Sequence, residues 1–319
     1  IRRQRQMCIR DRKNRGINMK YKIGFVVLHY NAIKETIDCV ESIKKRIDTN
    51  KYYIVVVDNA SSNHTGEDLE EKYHMDDKVL VLKLTSNLGF AKGNNVGYKY
   101  AVKELKCDFI CILNNDTLLV QDDFFSVIQN EYGKSQFGIL GPKILLNEKK
   151  VQPVYYHFPN VEYFEEELAI HRKDYWLMKY RLNYIVVLCR LIRNYLYKKM
   201  GKPRKPRSRH IQSLKYVDKR MENVVLHGCC LIFSPLYVAE YEDGFQPDTF
   251  LYKEEELLYL RCKRKNLKTV YNPELKIRHL EDVSTNSTTM RRRKKIMFWL
   301  RNQIDSLEVL IGELKKEQK

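Results

Sequence analysis

Between Lys22 and about Gly141, short apolar runs alternate with segments whose apolar positions recur every three or four residues. The runs are Ile23–His29, Tyr53–Val57, Val79–Leu84, Phe109–Leu113 and Gly138–Ile144, each about the length of one buried strand. Between them, Ile33–Arg46, His64–Tyr73, Ala91–Leu105 and Asp122–Tyr132 carry helical spacing. A strand that is apolar throughout is buried on both faces, as happens when helices cover a parallel sheet on each side. The alternation predicts a doubly wound, mostly parallel α/β sheet.

From Val151 to Lys219 the alternation stops. Tyr175–Tyr197 reads as a helix with apolar residues nearly all round and Lys/Arg spaced through it, followed by a Pro- and Arg-rich linker, Lys202–Arg209. Regular structure returns with a strand over Asn223–Ser234, a helix over Phe250–Lys263 and strands over Thr269–Tyr271 and Leu275–His279. A basic, then amphipathic helix over Met290–Lys316 closes the chain. The expected organisation is a leader over 1–18, non-native or disordered and dispensable for folding, and one α/β domain over 19–287. That domain carries a basic helical insert over 151–220, and a C-terminal helix follows over 288–319.

Composition narrows the class. At 319 residues, 44% hydrophobic and 31% charged, the chain reads as a soluble globular protein. No apolar run approaches the ~20 residues that cross a bilayer. The eight cysteines include no C-x-x-C pair, and several sit inside apolar runs, which predicts reduced core thiols and no zinc site or disulfide framework. A cytoplasmic protein, peripheral on the inner face of the cell membrane, is expected. The net charge of +18 is localised: residues 1–18 hold seven Lys/Arg against one Asp, and residues 171–220 hold sixteen against two. The remainder is close to neutral. Such a segment suits an anionic surface, and its Trp176, Tyr180, Tyr184, Tyr195 and Tyr197 mixed with Lys and Arg suit a lipid headgroup layer. A helical hairpin with a solvated basic face is the plainer reading. No nucleic-acid motif appears, so no nucleic acid is expected as partner.

The chemistry gathers at strand ends. Tyr30-Asn31 follows the first strand, Asp58-Asn59 the second, Asn87-Leu-Gly-Phe90 the third and Asn114-Asn115-Asp116 the fourth. In a parallel sheet these ends share one edge, where ligands bind. Each cluster alone could be turn chemistry; four together predict one crevice. A single carboxylate, Asp116, suits a divalent cation held mostly by substrate phosphates. Asp58 could accept the imide N–H of a uracil or thymine ring. Gly89 and Gly93 stand where backbone passes close to a ligand, with Asn87 and Asn94 beside them at a helix N-terminus that favours anions.

These stretches carry a resemblance. Val-Val-Leu-His-Tyr-Asn (26–31), Val-Val-Asp-Asn-Ala-Ser-Ser-Asn (56–63), Asn-Leu-Gly-Phe-Ala-Lys-Gly-Asn-Asn (87–95) and Leu-Asn-Asn-Asp (113–116) are joined by Gly-Pro-Lys-Ile (141–144), His-Gly-Cys-Cys-Leu-Ile (227–232), Phe-Leu-Tyr-Lys-Glu-Glu-Glu (250–256) and Tyr-Asn-Pro-Glu (271–274). Together they resemble glycosyltransferase family 2 enzymes of the GT-A (nucleotide-diphospho-sugar transferase) fold, in the rhamnosyltransferase-like branch that makes bacterial surface polysaccharides. The likeness runs from about Tyr21 to His279, interrupted by the insert.

The resemblance implies an inverting transfer of a sugar from a UDP- or dTDP-sugar to an acceptor hydroxyl on a saccharide or lipid-linked acceptor. Tyr30, Asn31, Asp58, Asn87, Gly89, Gly93, Asn94, Asn114 and Asp116 then fall to the donor. Asn114–Asp116 stands at the Asp-x-Asp motif, with Asp116 as ligand to Mg²⁺ or Mn²⁺; His279 matches a second metal ligand or phosphate contact. Glu254-Glu255 stands where the family carries a Glu-Asp pair whose second member is the general base, which assigns Glu255. Glu254 is the alternative, because three successive glutamates leave the register open. An acidic first turn complementing a helix dipole is the plain reading of the same residues. His227 and Gly228 fall at the acceptor site or serve packing. Two rival classes are a nucleotidyltransferase, which would need a Gly- and Lys/Arg-rich loop where Leu28-His-Tyr-Asn31 stands, and a non-enzymatic basic protein binding nucleic acid or membrane.

Overall fold

The computed structural model describes residues 21–147, 150–152, 154–155, 158–182, 184, 213–214, 218–280 and 292–317. The predicted leader, the linker Lys202–Arg209 and most of the helix Tyr175–Tyr197 lie outside the described residues. The first half runs β1 (Ile23–His29), α1 (Ile33–Arg46), β2 (Tyr52–Asp58), α2 (Thr65–Tyr73), β3 (Val79–Lys83), α3 (Gly89–Lys103), β4 (Phe109–Asn114), β5 (Thr117–Leu119) and α4 (Phe124–Ser135). Then come β6 (Ile139–Asn147), β7 (Lys150–Val151), β8 (Val154–Tyr155), α5 (Val161–Lys179), β9 (Ser213–Leu214) and β10 (Met221–Glu222). The chain continues through β11 (Cys230–Phe233), α6 (Pro235–Glu240), α7 (Glu254–Arg264), β12 (Thr269–His279) and α8 (Arg292–Glu317).

The main sheet is ordered β10-β12-β6-β11-β4-β1-β2-β3, with β5 against β12 and β7 against β6. β3, β2, β1 and β4 are mutually parallel, whereas β11 enters antiparallel between β4 and β6. Alternate residues of each strand serve opposite faces. Ile23, Phe25 and Val27 pack with α1, α2 and α4 on one side, while Val26 joins α3, α6 and α7 on the other. In α1 the buried residues Thr36, Cys39, Val40 and Ile43 form one stripe, and Lys44, Lys45 and Arg46 occupy the last turn, where cations complement the helix dipole. Phe109 meets Tyr21, Phe125 and Tyr132 edge to face in the first core; burying a side chain of that size contributes ~2–3 kcal/mol. All six described cysteines are free and buried.

A third apolar cluster lies outside this sandwich. Val161, Phe164 and Leu168 of α5 meet Leu307, Leu310, Ile311 and Leu314 of α8 over Leu257 and Leu260 of α7. The C-terminal helix thus braces the helix that begins with the glutamates.

The elements differ from the sequence reading in four places. First, the helix expected in the insert from Tyr175 begins earlier, at Val161, as α5; Asn160 caps it by accepting the Tyr163 N–H at 3.1 Å. Second, the strand expected over Asn223–Ser234 is short. Only Cys230–Phe233 forms β11, and His227 and Gly228 lie in the loop and turn before it, because the Gly228 N–H is donated to a side chain and not to a ladder. Third, α6 follows β11 directly, with Ser234 capping and Pro235 in the first turn. Fourth, the two late strands are one, β12, whose register with β6 shifts between Asn272 and Lys276, where Pro273 offers no N–H. No described helix is long and apolar enough to cross a membrane.

Candidate functional site

Strand register brings the polar ends together. His29 at the end of β1 stands opposite Asp58 at the end of β2, and Leu28 stands opposite Asn114 at the end of β4. The loops after these strands then interlock. Asp58 Oδ1 accepts the Ser61 N–H at 3.1 Å and the Ser61 hydroxyl, and Ser61 Oγ in turn accepts the Asn31 N–H at 2.9 Å. Asn31, held at φ 59°, accepts the Ser62 N–H on its side-chain oxygen at 2.9 Å. Asp58 is buried, and a Cβ at Gly66 would stand 2.2 Å from its Oδ2. Tyr30 is half-buried.

Asn59 ties this loop to the next. Its Nδ2 donates to Asn87 Oδ1 and to the Gly89 carbonyl, both at 3.1 Å, and its Oδ1 accepts the Leu88 N–H at 2.8 Å. Gly89 has φ +79°, and a Cβ there would stand 2.4 Å from the Phe250 carbonyl, which accepts the Phe90 N–H at 2.7 Å. Gly89 therefore allows two stretches of chain to pass in close contact. Gly93 is pressed against Leu28, with 2.7 Å to a would-be Cβ. Asn94 is fully buried, its Nδ2 donating to the Phe90 carbonyl at 2.9 Å.

The β4 tip is less open than a row of three polar residues suggests. Asn114 is half-buried and donates its N–H to the Cys229 carbonyl at 3.0 Å. Asn115 is turned inward; its Nδ2 reaches Thr36 Oγ1 at 3.1 Å and the Ala32 carbonyl at 3.5 Å. Of these three tip residues, Asp116 is the one with a buried uncompensated group: its Oδ1 has no hydrogen-bond partner and lies 3.1 Å from His279 Nε2. β5 pairs with β12 at His279↔Thr117, which brings the two side chains together across about 160 residues of sequence. A carboxylate oxygen and an imidazole nitrogen that approach without a hydrogen bond fit two ligands of one cation. Among the described residues no group of three or more such side chains could hold a metal, so substrate oxygens would supply the rest, as Mg²⁺ usually takes them. The His227 ring stands 6.0 Å from that of His279, and its Nδ1 accepts the Cys229 N–H at 3.2 Å.

The glutamates arrive from the other side. Tyr252 and Lys253, with φ 77° and 66°, are consecutive left-handed residues without the glycine that usually occupies such backbone. They turn the chain abruptly into α7, and Lys253 Nζ is fixed by Glu167 of α5 at 3.2 Å. Glu255 Oε1 accepts the Gly228 N–H at 3.0 Å, where any Cβ would lie 2.6 Å from that oxygen. The same turn presents the Cys229 carbonyl to Asn114 and, at 3.4 Å, to the Thr117 hydroxyl. Glu255 and the Asp116 loop thus grip one turn from two directions.

Burial raises both carboxyls. Glu254, buried and beside Glu255, is pushed up to about 8, with only the Thr249 hydroxyl at 3.4 Å and its own N–H favouring ionisation. Burial also raises Glu255, opposed by its own N–H, the Gly228 N–H and the charge of Lys253. Glu255 thus has two N–H donors and a nearby cation to hold a negative charge, where Glu254 has one N–H and a hydroxyl.

Beneath the loops sits a residue the sequence reading passed over. His29 is fully buried, with Nδ1 2.7 Å from Thr36 Oγ1 and Nε2 2.9 Å from Thr65 Oγ1. Because Thr36 also receives Asn115, His29 links the β4 tip to the start of α2. Its only sequence signal is a polar residue closing an otherwise apolar run. Burial lowers its pKa from 6.5 to about 4, partly offset by Asp58. The unfolded chain takes up the proton first, so the stabilisation is complete above 6.5 and fades as pH falls towards 4. We expect acidification from about pH 7 to about pH 4 to cost wild type about 3 kcal/mol more than His29→Gln in denaturant titrations. Glu254 contributes the opposite slope to both proteins and cancels in the comparison. Equal losses would exclude a buried neutral His29.

Comparison with known proteins now adds to the geometry. The family model described as Glycosyl transferase family 2 matches residues 25–201, more than half of the chain. The chain belongs to glycosyl transferase family 2. This family 2 chain is 28% identical over 152 residues to glycosyltransferase GlyG of Streptococcus pneumoniae serotype 4, covering 48% of each protein. It is also 28% identical over 126 residues to the low-salt glycan biosynthesis hexosyltransferase Agl10 of Haloferax volcanii, covering 40% of this chain and 38% of Agl10. The chain thus spans less than half the length of these curated relatives. A crystal structure of GalNAc-T7 with UDP, GalNAc and Mn²⁺ superposes with a TM-score of 0.52 at 13% identity, over 81% of this chain and 44% of that one. The likeness is one of fold, and the fold is the expected GT-A architecture. Family membership favours the glycosyltransferase class over a nucleotidyltransferase.

Proposed function

We propose that the protein is an inverting glycosyltransferase that moves a sugar from a UDP- or dTDP-sugar to an acceptor hydroxyl, with Glu255 as general base. The observation that carries this reading is the shared turn at Gly228-Cys229, held by Glu255 on one side and by Asn114 and Thr117, which flank Asp116, on the other. A base and a diphosphate site must face each other across the anomeric carbon for a single displacement. Glu255 is half-buried and anchored through one oxygen, which fixes its direction and leaves it access to an acceptor.

The donor would lie along the strand ends, with its base against Asp58, Tyr30 and Asn31, and its diphosphate towards Asn114 and Asp116. Asn87, Gly89, Gly93 and Asn94 shape that wall through the backbone and do not need to touch the donor. Asp116 and His279 would hold Mg²⁺ or Mn²⁺, which when bound offsets charge on the departing diphosphate. Glu255 removes the acceptor proton as the hydroxyl oxygen attacks; the bond from the anomeric carbon to the diphosphate oxygen breaks, and the nucleoside diphosphate leaves. His227 and Gly228 border the acceptor side. The acceptor is a saccharide or a lipid-linked saccharide, in keeping with a rhamnosyltransferase-like role in cell-envelope polysaccharide synthesis.

A thermal-shift panel of nucleotide sugars with and without Mn²⁺ tests this. UDP- or dTDP-sugars should raise the melting temperature by a few degrees, more with Mn²⁺ than without it. A panel in which no nucleotide sugar shifts the protein would sink the proposal.

A further inference from the structure

The ends of α5 and α8 meet at an exposed aromatic and cationic surface. Trp176 and Tyr180 are about half exposed, Phe298 is 44% exposed, and Ile296 and Trp299 are each 38% exposed. The surface is a built junction. Arg293 donates to the Met178 carbonyl at 2.7 Å and to the Lys179 carbonyl at 3.0 Å, and the Trp299 ring lies 5.1 Å from that of His171. Trp176 and Tyr180 stand ring to ring at 5.3 Å, with Lys179 over Tyr180 at 5.6 Å. Arg293, Lys294 and Lys295 are consecutive cations there, and no carboxylate follows them in the chain until Asp305.

A globular protein has little reason to expose two tryptophans, a phenylalanine and an isoleucine together beside a cationic run. Amphipathic rings with interleaved Lys and Arg match the headgroup layer of an anionic bilayer, where rings sit among the glycerol groups and cations meet phosphates. The surface also borders the site. The Phe250 ring is 6.3 Å from Phe298, the Phe250 carbonyl accepts the Phe90 N–H, and Ser306 Oγ of α8 donates to the Leu251 carbonyl at 2.8 Å. Tyr252, 6.3 Å from Trp299, then leads into Glu254 and Glu255.

We propose that the α5–α8 junction docks the protein on an anionic lipid bilayer and sets the 250–255 loop against the headgroups, where a lipid-linked acceptor presents its hydroxyl. This rests on the glycosyltransferase reading and deepens it: the contact expected of residues 171–220 is shared by the C-terminal helix, and the acceptor class becomes lipid-linked.

The test is sedimentation of the full chain with vesicles of phosphatidylcholine alone or mixed with phosphatidylglycerol, at low and high salt. Wild type should pellet with the anionic vesicles at low salt only. Lys294→Glu/Lys295→Glu and Trp176→Ser/Phe298→Ser should each lower the bound fraction about tenfold or more. Hydrolysis of the nucleotide sugar in solution should be unchanged in both variants, showing that they fold. Absence of that hydrolysis in wild type would count against the glycosyltransferase reading and not against the docking surface. Docking is overturned if wild type fails to pellet, pellets equally with neutral vesicles, or pellets as well after both double substitutions. A dimer dispersed by Trp176→Ser/Phe298→Ser, without vesicle binding, would assign the surface to a second copy of the chain.

Discussion

Glu255→Gln should reduce sugar transfer by roughly 10²–10⁴-fold, the usual contribution of a positioned general base, while donor binding measured by thermal shift stays within a few-fold of wild type. Glutamine keeps an oxygen for the Gly228 N–H, so the turn at Gly228-Cys229 persists and the loss reports the proton acceptor alone. Glu254→Gln is the control that separates the two candidates. Glu254, raised to about 8, holds its proton at neutral pH, so an amide there resembles the native state and should keep activity within about tenfold of wild type. The pH profile carries the same assignment. Because burial raises the Glu255 carboxyl from its ordinary value, wild-type rate should climb with pH as that group ionises, and Glu255→Gln should lose the climb. Reversed outcomes would transfer the role to Glu254, and unimpaired turnover in both variants would remove the glutamates from the mechanism.

Asp116→Asn is expected to lower transfer by roughly a hundredfold or more and to abolish the additional Mn²⁺-dependent thermal shift given by the nucleotide sugar. The substitution conserves shape and removes charge where the structure holds a buried oxygen without a hydrogen-bond partner, 3.1 Å from His279 Nε2. A bare carboxylate in that setting costs free energy unless a cation or donor arrives. Asp116→Asn should therefore be at least as stable as wild type without ligand and clearly less stabilised with it. If Mn²⁺ shifts both proteins equally, Asp116 and His279 do not hold the ion.

Much of this was legible in the chain because it is local. Five apolar runs with helical segments between them imply a parallel sheet, and a parallel sheet sends every loop that follows a strand to one edge; Asp58, Asn87 and Asn114–Asp116 had to gather there. The acidic start of α7 and the basic-then-amphipathic α8 were equally readable from residue order. The small elements were less so. Ser234-Pro235 marked α6 and Asn160 marked α5, both by capping chemistry that a search for apolar periodicity passes over.

What the tertiary structure decided was the direction of each side chain and its partner. Asn115 and Asp116 are neighbours in sequence, yet one amide is spent on Thr36 inside the protein and the other residue's carboxylate is left bare beside His279. Gly89 and Gly93 pack against Phe250 and Leu28, contacts that only the fold brings about. His29, unremarkable in a strand, became the buried link between two loops. Hydrophobic period fixes which face of an element is buried, because it depends only on positions along one segment. A hydrogen bond between residues far apart in sequence depends on how loops close over the sheet, and no pattern within a single segment contains that information.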